Sequence, residues 1–150
     1  MSSTRQKIVF FTISFLLTGN ILNAKWQIET IDSSGYITRQ TSIKLDSNNY
    51  PHISYYDNNN NGVIKYAKWT GTSWQIETID FVGGFSKTSL ALDSNNNPHI
   101  SYIAGVNSTF DLKYAKWTGA SWSTQTVDSA GLIVEYNSLA IDSNDNPHIA

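Results

Sequence analysis

The 150-residue chain contains no cysteine, which removes disulfides and thiolate metal ligands and leaves stability to packing alone. Clustered positive charge is missing too: ten Lys and Arg stand against twelve Asp and Glu, and the basic residues are scattered singly. A phosphate backbone needs a concentrated basic surface, so nucleic acid is not an expected partner. No stretch keeps a helical period, and no segment between apolar runs has room for a crossover helix. Long apolar runs are also absent. The longest, Ile8 to Leu17, is too short to span a bilayer.

That run follows Arg5 and Lys7, the layout of a signal peptide over residues 1–24 with a cut after Ala24. The expected location is therefore secreted or cell-surface, with no membrane segment beyond the leader. Its removal leaves eight basic against twelve acidic residues, a formal charge of −4.

What the remaining sequence has is a repeat. KYAKWTGTSWQIETID from Lys65 returns as KYAKWTGASWSTQTVD from Lys113, and KWQIETID from Lys25 is the tail of an earlier copy. Trp26, Trp74 and Trp122 are spaced 48 residues apart. The other half of the unit is LDSNNYPHISYYD, LDSNNNPHISYI and IDSNDNPHIA, with Asp46, Asp93 and Asp142 in one phase. The units fall at about 25–41 (a tail), 42–80, 88–128 and 138–150 (a start).

Each full unit reads as four short strands. In the second, Thr88 to Leu92 alternates small and large side chains, and Asp93 to Asn97 supplies a turn of residues that bond their own backbone. Pro98 opens the strand His99 to Ile103, where its missing N–H costs least. Leu112 to Trp117 follows, and Gly119 turns the chain into Trp122 to Val127. Successive strands should pair antiparallel as a meander. The fourth strand of the preceding unit has Trp74 and Ile76 on one side and Ile79 on the other, so the sheet should need neighbours on both faces. The fold class predicted is all-β, a β-propeller of four-stranded antiparallel blades of about 48 residues; a β-solenoid is the other architecture the pattern allows. Residues 25–150 hold about 2.6 units where a closed ring has about four to eight blades, and Ala150 falls inside an expected strand. The chain therefore reads as part of a larger ring, or as a subunit of an oligomer.

Three motifs invite a functional reading. His52, His99 and His148 share one phase, but each sits in the same Pro-His-Ile phrase, as suits a residue that bonds a neighbouring strand in every repeat. The Asp-Ser-Asn phrase at Asp46, Asp93 and Asp142 has the oxygen spacing of a calcium loop. It runs into proline where such a loop places glycine, so a turn explains it; no cofactor is expected, with calcium the one candidate. Trp69 with Trp74, and Trp117 with Trp122, bracket hairpin turns and should pack across strands, although aromatics repeated in each blade also suit stacking on sugars.

Gly71-Thr72-Ser73-Trp74, repeated as Gly119-Ala120-Ser121-Trp122, resembles the tail of the Asp-box of sialidase-like propellers. It is a degenerate box: the upstream serine and aspartate positions hold Ala67 and Trp69, then Ala115 and Trp117. The phrase LDSNNNPHISY is similar to repeats of exported bacterial propellers and of sialidase-like propellers that include polysaccharide lyases. The resemblance implies the fold. Sialidases use three arginines, and after Ala24 this chain has only Arg39, so that activity is not implied.

Function is expected where the repeats differ from one another. The links from fourth strand to next first strand carry Tyr36, Arg39, Phe85, Lys87, Glu135 and Tyr136, the candidate ligand-binding residues; the links from second to third strand, 58–61 and 105–109, should emerge on the same face. The expected function is a non-catalytic module that binds an extracellular glycan or protein surface. A propeller-fold polysaccharide lyase or glycoside hydrolase is the enzyme alternative, and a purely structural surface protein is a third reading.

Overall fold

The computed structural model describes residues 8–10, 27–33, 37–59, 61–84, 86–106, 109–129 and 136–150; of 8–10, 27, 37–40, 106 and 109 it describes the backbone only. The chain divides into two units, Met1–Ser34 and Gly35–Ala150. In the first, β1 (Ile8–Phe10) pairs antiparallel with β2 (Gln27–Glu29). The rest of segment 1–24 lies outside the described residues. No helix among the described residues is long and apolar enough to cross a membrane.

The second unit is all strand. Its first sheet is the meander β3 (Ile37–Leu45), β4 (Pro51–Asp57), β5 (Val63–Trp69) and β6 (Trp74–Phe81). The second repeats it with β7 (Thr88–Leu92), β8 (Pro98–Val106), β9 (Thr109–Trp117) and β10 (Trp122–Asp128). A third has two strands, β11 (Leu139–Ile141) and β12 (Pro147–Ile149). All pairings between neighbouring strands are antiparallel. Strand β7 has the limits its alternation predicts. Strands β8 and β9 run further, because Ala104, Gly105 and Val106 keep pairing with Asp111, Phe110 and Thr109.

Sheets stack face to face. Tyr56, Ile64 and Tyr66 of the first sheet close on Leu90, Ile100 and Tyr102 of the second, with Val82 from the connector. Ala91 and Tyr114 close on Leu139 of the third. Complete burial of a side chain such as Leu90 stabilises by about 1.5–3 kcal/mol.

The neighbours expected on both faces of a sheet are present for the second sheet, which packs on the first and the third, but the last strand of each four-stranded sheet stays largely open. A register irregularity opposite Ile64 and Lys65 turns Ile79 toward the core, while Ile76 stays 40% exposed, and most of β6 and β10 faces solvent. These last strands are outer edges: in β6 only Trp74 at one end and Ile79 and Asp80 toward the other are half-buried, and in β10 only Trp122.

Edge strands β3 and β7 offer their free side to the next sheet. Leu90 N–H donates to Ser42 Oγ and Leu139 N–H donates to Ser89 Oγ, both at 3.0 Å. Ser54 Oγ meets Thr88 Oγ1 at 2.8 Å, and Ser101 Oγ donates to Asn137 Oδ1 at 2.6 Å. Small hydroxyl side chains thus satisfy backbone and side-chain groups that a bare edge would leave to water.

Candidate functional site

The repeated polar residues resolve into scaffold. In the second sheet Asp93 Oδ1 accepts from the backbone N–H of Asn95 (2.9 Å) and Asn97 (2.8 Å), closing its own turn, while Asn96 takes a left-handed φ of 62°. Asp93 Oδ2 faces His99 Nε2 at 3.4 Å, and His99 Nδ1 meets the Tyr114 hydroxyl at 2.5 Å. The first sheet repeats the chain through Asp46, His52 and Tyr66, with His52 Nδ1 and Tyr66 Oη 2.6 Å apart. Asp142 and His148 repeat its first half at 3.2 Å.

Charges follow from this geometry. Burial pushes the His52 and His99 rings below their ordinary value, outweighing the aspartates. Each ring is therefore neutral and takes the tyrosine proton at Nδ1; His99 Nε2–H then points to Asp93, whereas His52 Nε2 stands 3.6 Å from Asp46 Oδ2, beyond hydrogen-bond reach. Burial alone would raise Asp46 and Asp93, yet hydrogen bonds from their own turns, with the histidine beside each, hold both below the usual carboxylate range. Asp142 is lowered mainly by the Asn146 amides. Burial pushes the Tyr66 and Tyr114 phenols up, with Asp46 and Asp93 among the charges adding to it. The carboxylate oxygens of the calcium-like phrase are thus engaged with turn amides and histidine. Among the described residues no group of three His, Asp or Glu side chains stands close enough to hold a metal ion.

The tryptophans also resolve into packing. Trp69 pairs with Trp74 and Trp117 with Trp122 across their hairpins, ring centroids 5.6 Å apart in each. Trp122 further stands edge-on to Tyr66 of the first sheet at 5.2 Å and donates Nε1–H to Glu77 Oε2 at 2.8 Å. It is a link between sheets that periodicity alone does not reveal. A second such link is Asp80, whose Oδ2 accepts from Lys113 Nζ (2.6 Å) and the Tyr102 hydroxyl (2.8 Å).

Of the variable links, the first connector lies against the 58–62 link and the end of β8. Gly84 N–H donates to Gly105 O and Gly105 N–H to Val82 O, at 3.0 and 2.9 Å, so the first connector lies along the end of β8. Val82 N–H donates to Gly62 O at 2.9 Å, and the Tyr56 hydroxyl lies within 3.0 Å of Asn58 Oδ1 and 3.3 Å of Gly83 O. This close approach requires glycine at 62: its φ is +79°, and a Cβ there would stand 2.3 Å from Gly83 O.

Of the six candidate ligand-binding residues, Lys87 and Tyr136 are brought together. Lys87 Nζ stands 3.2 Å from the centroid of the Tyr136 ring, across consecutive connectors, and Tyr136 is 68% exposed. Asn137, which sequence reasoning passed over, anchors the pair: its Nδ2 donates to Lys87 O at 3.1 Å while its Oδ1 accepts from Ser101. Arg39 lies in β3, at a position where only the backbone is described. Tyr36, Phe85 and Glu135 lie outside the described residues.

No family model and no curated protein matches the chain. Among solved structures it is similar to a fucose lectin from Kordia zhangzhouensis in complex with methyl-fucoside, at 19% identity and a TM-score of 0.49, covering 85% of this chain and 96% of that one.

Proposed function

We propose that the stacked sheets are consecutive propeller blades and that the chain is an exported, non-catalytic module binding carbohydrate at its connector face. The observation that carries the reading is the Lys87–Tyr136 pair. A solvent-facing tyrosine ring, flanked by the ammonium of a lysine whose carbonyl accepts from Asn137, offers a flat apolar surface to the C–H face of a pyranose and donors to its hydroxyls. Lysine covers one ring face, leaving the other for the ligand. Export is supported by the charged and apolar pattern of residues 1–24.

Glycan-array screening of the full chain, followed by titration calorimetry on the best ligand, tests this. Tyr136→Ala should weaken binding at least about tenfold, equal to about 1.4 kcal/mol, with an unchanged unfolding midpoint. Cleavage of uronate polymers without retained glycan binding would instead select the lyase reading, and binding indifferent to Tyr136→Ala would remove this face as the site.

A further inference from the structure

We propose that Asn61 is a modification site, the place where this chain deamidates spontaneously, and that the isoaspartate formed there unpins the first connector. Asn61 is exposed and is followed by Gly62; no other asparagine of the chain precedes glycine. The neighbour decides because the attacking group is the backbone nitrogen of the next residue, and glycine has no side chain to hinder its approach. The step needs only water and solvent base. The Gly62 nitrogen gives up its proton and bonds to Asn61 Cγ, the Cγ–Nδ2 bond breaks, and ammonia leaves a cyclic imide. Water then opens the ring. Cleavage at Cγ gives aspartate, whereas cleavage at the former main-chain carbonyl carbon routes the backbone through Cβ and Cγ as isoaspartate.

The repeat supplies the comparison. Asn49 and Asn96 share the left-handed backbone of Asn61, with φ 62° against 68°, but they precede Tyr50 and Asn97. Those two amides are locked, donating to Asp46 Oδ1 and Asp93 Oδ1 at 2.8 Å. Asn97 and Asn146 precede proline, whose nitrogen carries no proton. Asn137 is held by Lys87 O and Ser101 Oγ, and the next amide, of Ser138, donates to Ala150 O at 2.9 Å. Gly62 N–H donates to Asn59 O at 3.1 Å, within the same link, so opening of that link alone releases the nitrogen.

The product does not fit where the asparagine did. Isoaspartate lengthens the main chain by one carbon immediately before Gly62, which is buried with Gly83 O and the Tyr56 hydroxyl against its Cα. Gly62 O is also the acceptor for Val82 N–H, and Val82 O in turn accepts from Gly105 N–H, both at 2.9 Å. Strand β5 starts at the next residue, Val63, paired with Asp57 and Phe81, so the ladder on that side holds its register and the displacement falls on Gly62. The connector at 82–84 then loses its bond to the 58–62 link.

Prolonged incubation of the full chain at mildly alkaline pH, followed by isoaspartyl-methyltransferase labelling and peptide mapping, should place the label at position 61 ahead of every other asparagine. In the isoaspartyl fraction the Val82 amide should exchange with solvent about tenfold faster than in fresh protein, the effect of one lost hydrogen bond. Fresh Asn61→Asp carries the new charge without the added carbon and should keep the original rate. Asn61→Gly, which accepts the left-handed turn and has no amide to lose, should show no drift in that rate over the same incubation. Earlier reaction at another asparagine overturns the assignment. An isoaspartyl fraction whose Val82 amide stays protected overturns the unpinning, because Gly62 would then have kept its place.

Discussion

Single side chains in this protein act as reporters of proton balance. His52 and His99 are fully buried and held neutral by burial, while an unfolded histidine titrates near 6.5. A folded value below the unfolded one means the unfolded chain binds more protons as pH falls, so the contribution of the histidines is complete above about pH 6.5 and is lost below it, toward the depressed folded value. Asp46 and Asp93 have the same sign at lower pH: their contribution is present above about 3.8 and is lost as pH falls through their lowered folded values. Urea midpoints measured between pH 7 and pH 5 should therefore decline before the carboxylates titrate, and the decline should be shallower in His99→Gln. Gly62→Ala is the other residue-scale test. It must accept a left-handed φ and a Cβ against Gly83 O, and is expected to cost about 1–3 kcal/mol in chemical denaturation. The corresponding change at Gly119, also at positive φ but with nothing within 4 Å of the added carbon, should cost less.

Sheets are joined by hydrogen bonds that the repeat makes comparable. Ser42→Ala and Ser89→Ala each strand one edge amide, of Leu90 or Leu139. Each should destabilise by about 1–3 kcal/mol where the amide is shielded from water. The two losses should add within about 0.5 kcal/mol, because the serines serve different joints; thermal and urea melts of both singles and the double check this. At this scale the sequence was informative to unequal degrees. Turn chemistry located the starts of β4, β8 and β12 at Pro51, Pro98 and Pro147, and alternation located β7. Strand ends toward the connectors were not legible, since pairing of residues 104–106 with 109–111 depends on no strong local signal. The Lys87–Tyr136 contact was half visible: each lies six residues ahead of its repeat aspartate, but only the stacking of sheets brings two such positions together. Asn137, Glu77 and Asp80 escaped for the same reason, being polar residues whose partners sit one repeat away.

For the 35–150 unit as a whole, the second sheet has a neighbour on both faces and the third has only two strands. Stability in stacked repeats sums over units and nearest-neighbour joints, so protection should not be uniform. Native-state hydrogen exchange should find the slowest amides in β8 and β9, intermediate ones in β4 and β5, and the fastest in β11 and β12. Equal protection of all three sheets would mean that the unit opens only globally.

The joints carry one more consequence, for descent. The bonds from the Leu90 and Leu139 amides to Ser42 and Ser89, and from the Ser47 and Ser94 amides to Asn96 and Asp145, each link a residue to a partner 48 to 51 positions away, and the same atoms serve both joints. A gene segment duplicated in frame by one whole repeat would enter with both of its seams already complementary, whereas duplication of one or two strands would present a serine to the wrong edge. Copy number in such a lineage can therefore grow by recombination in steps of one repeat, leaving the connector loops as the places where the copies diverge.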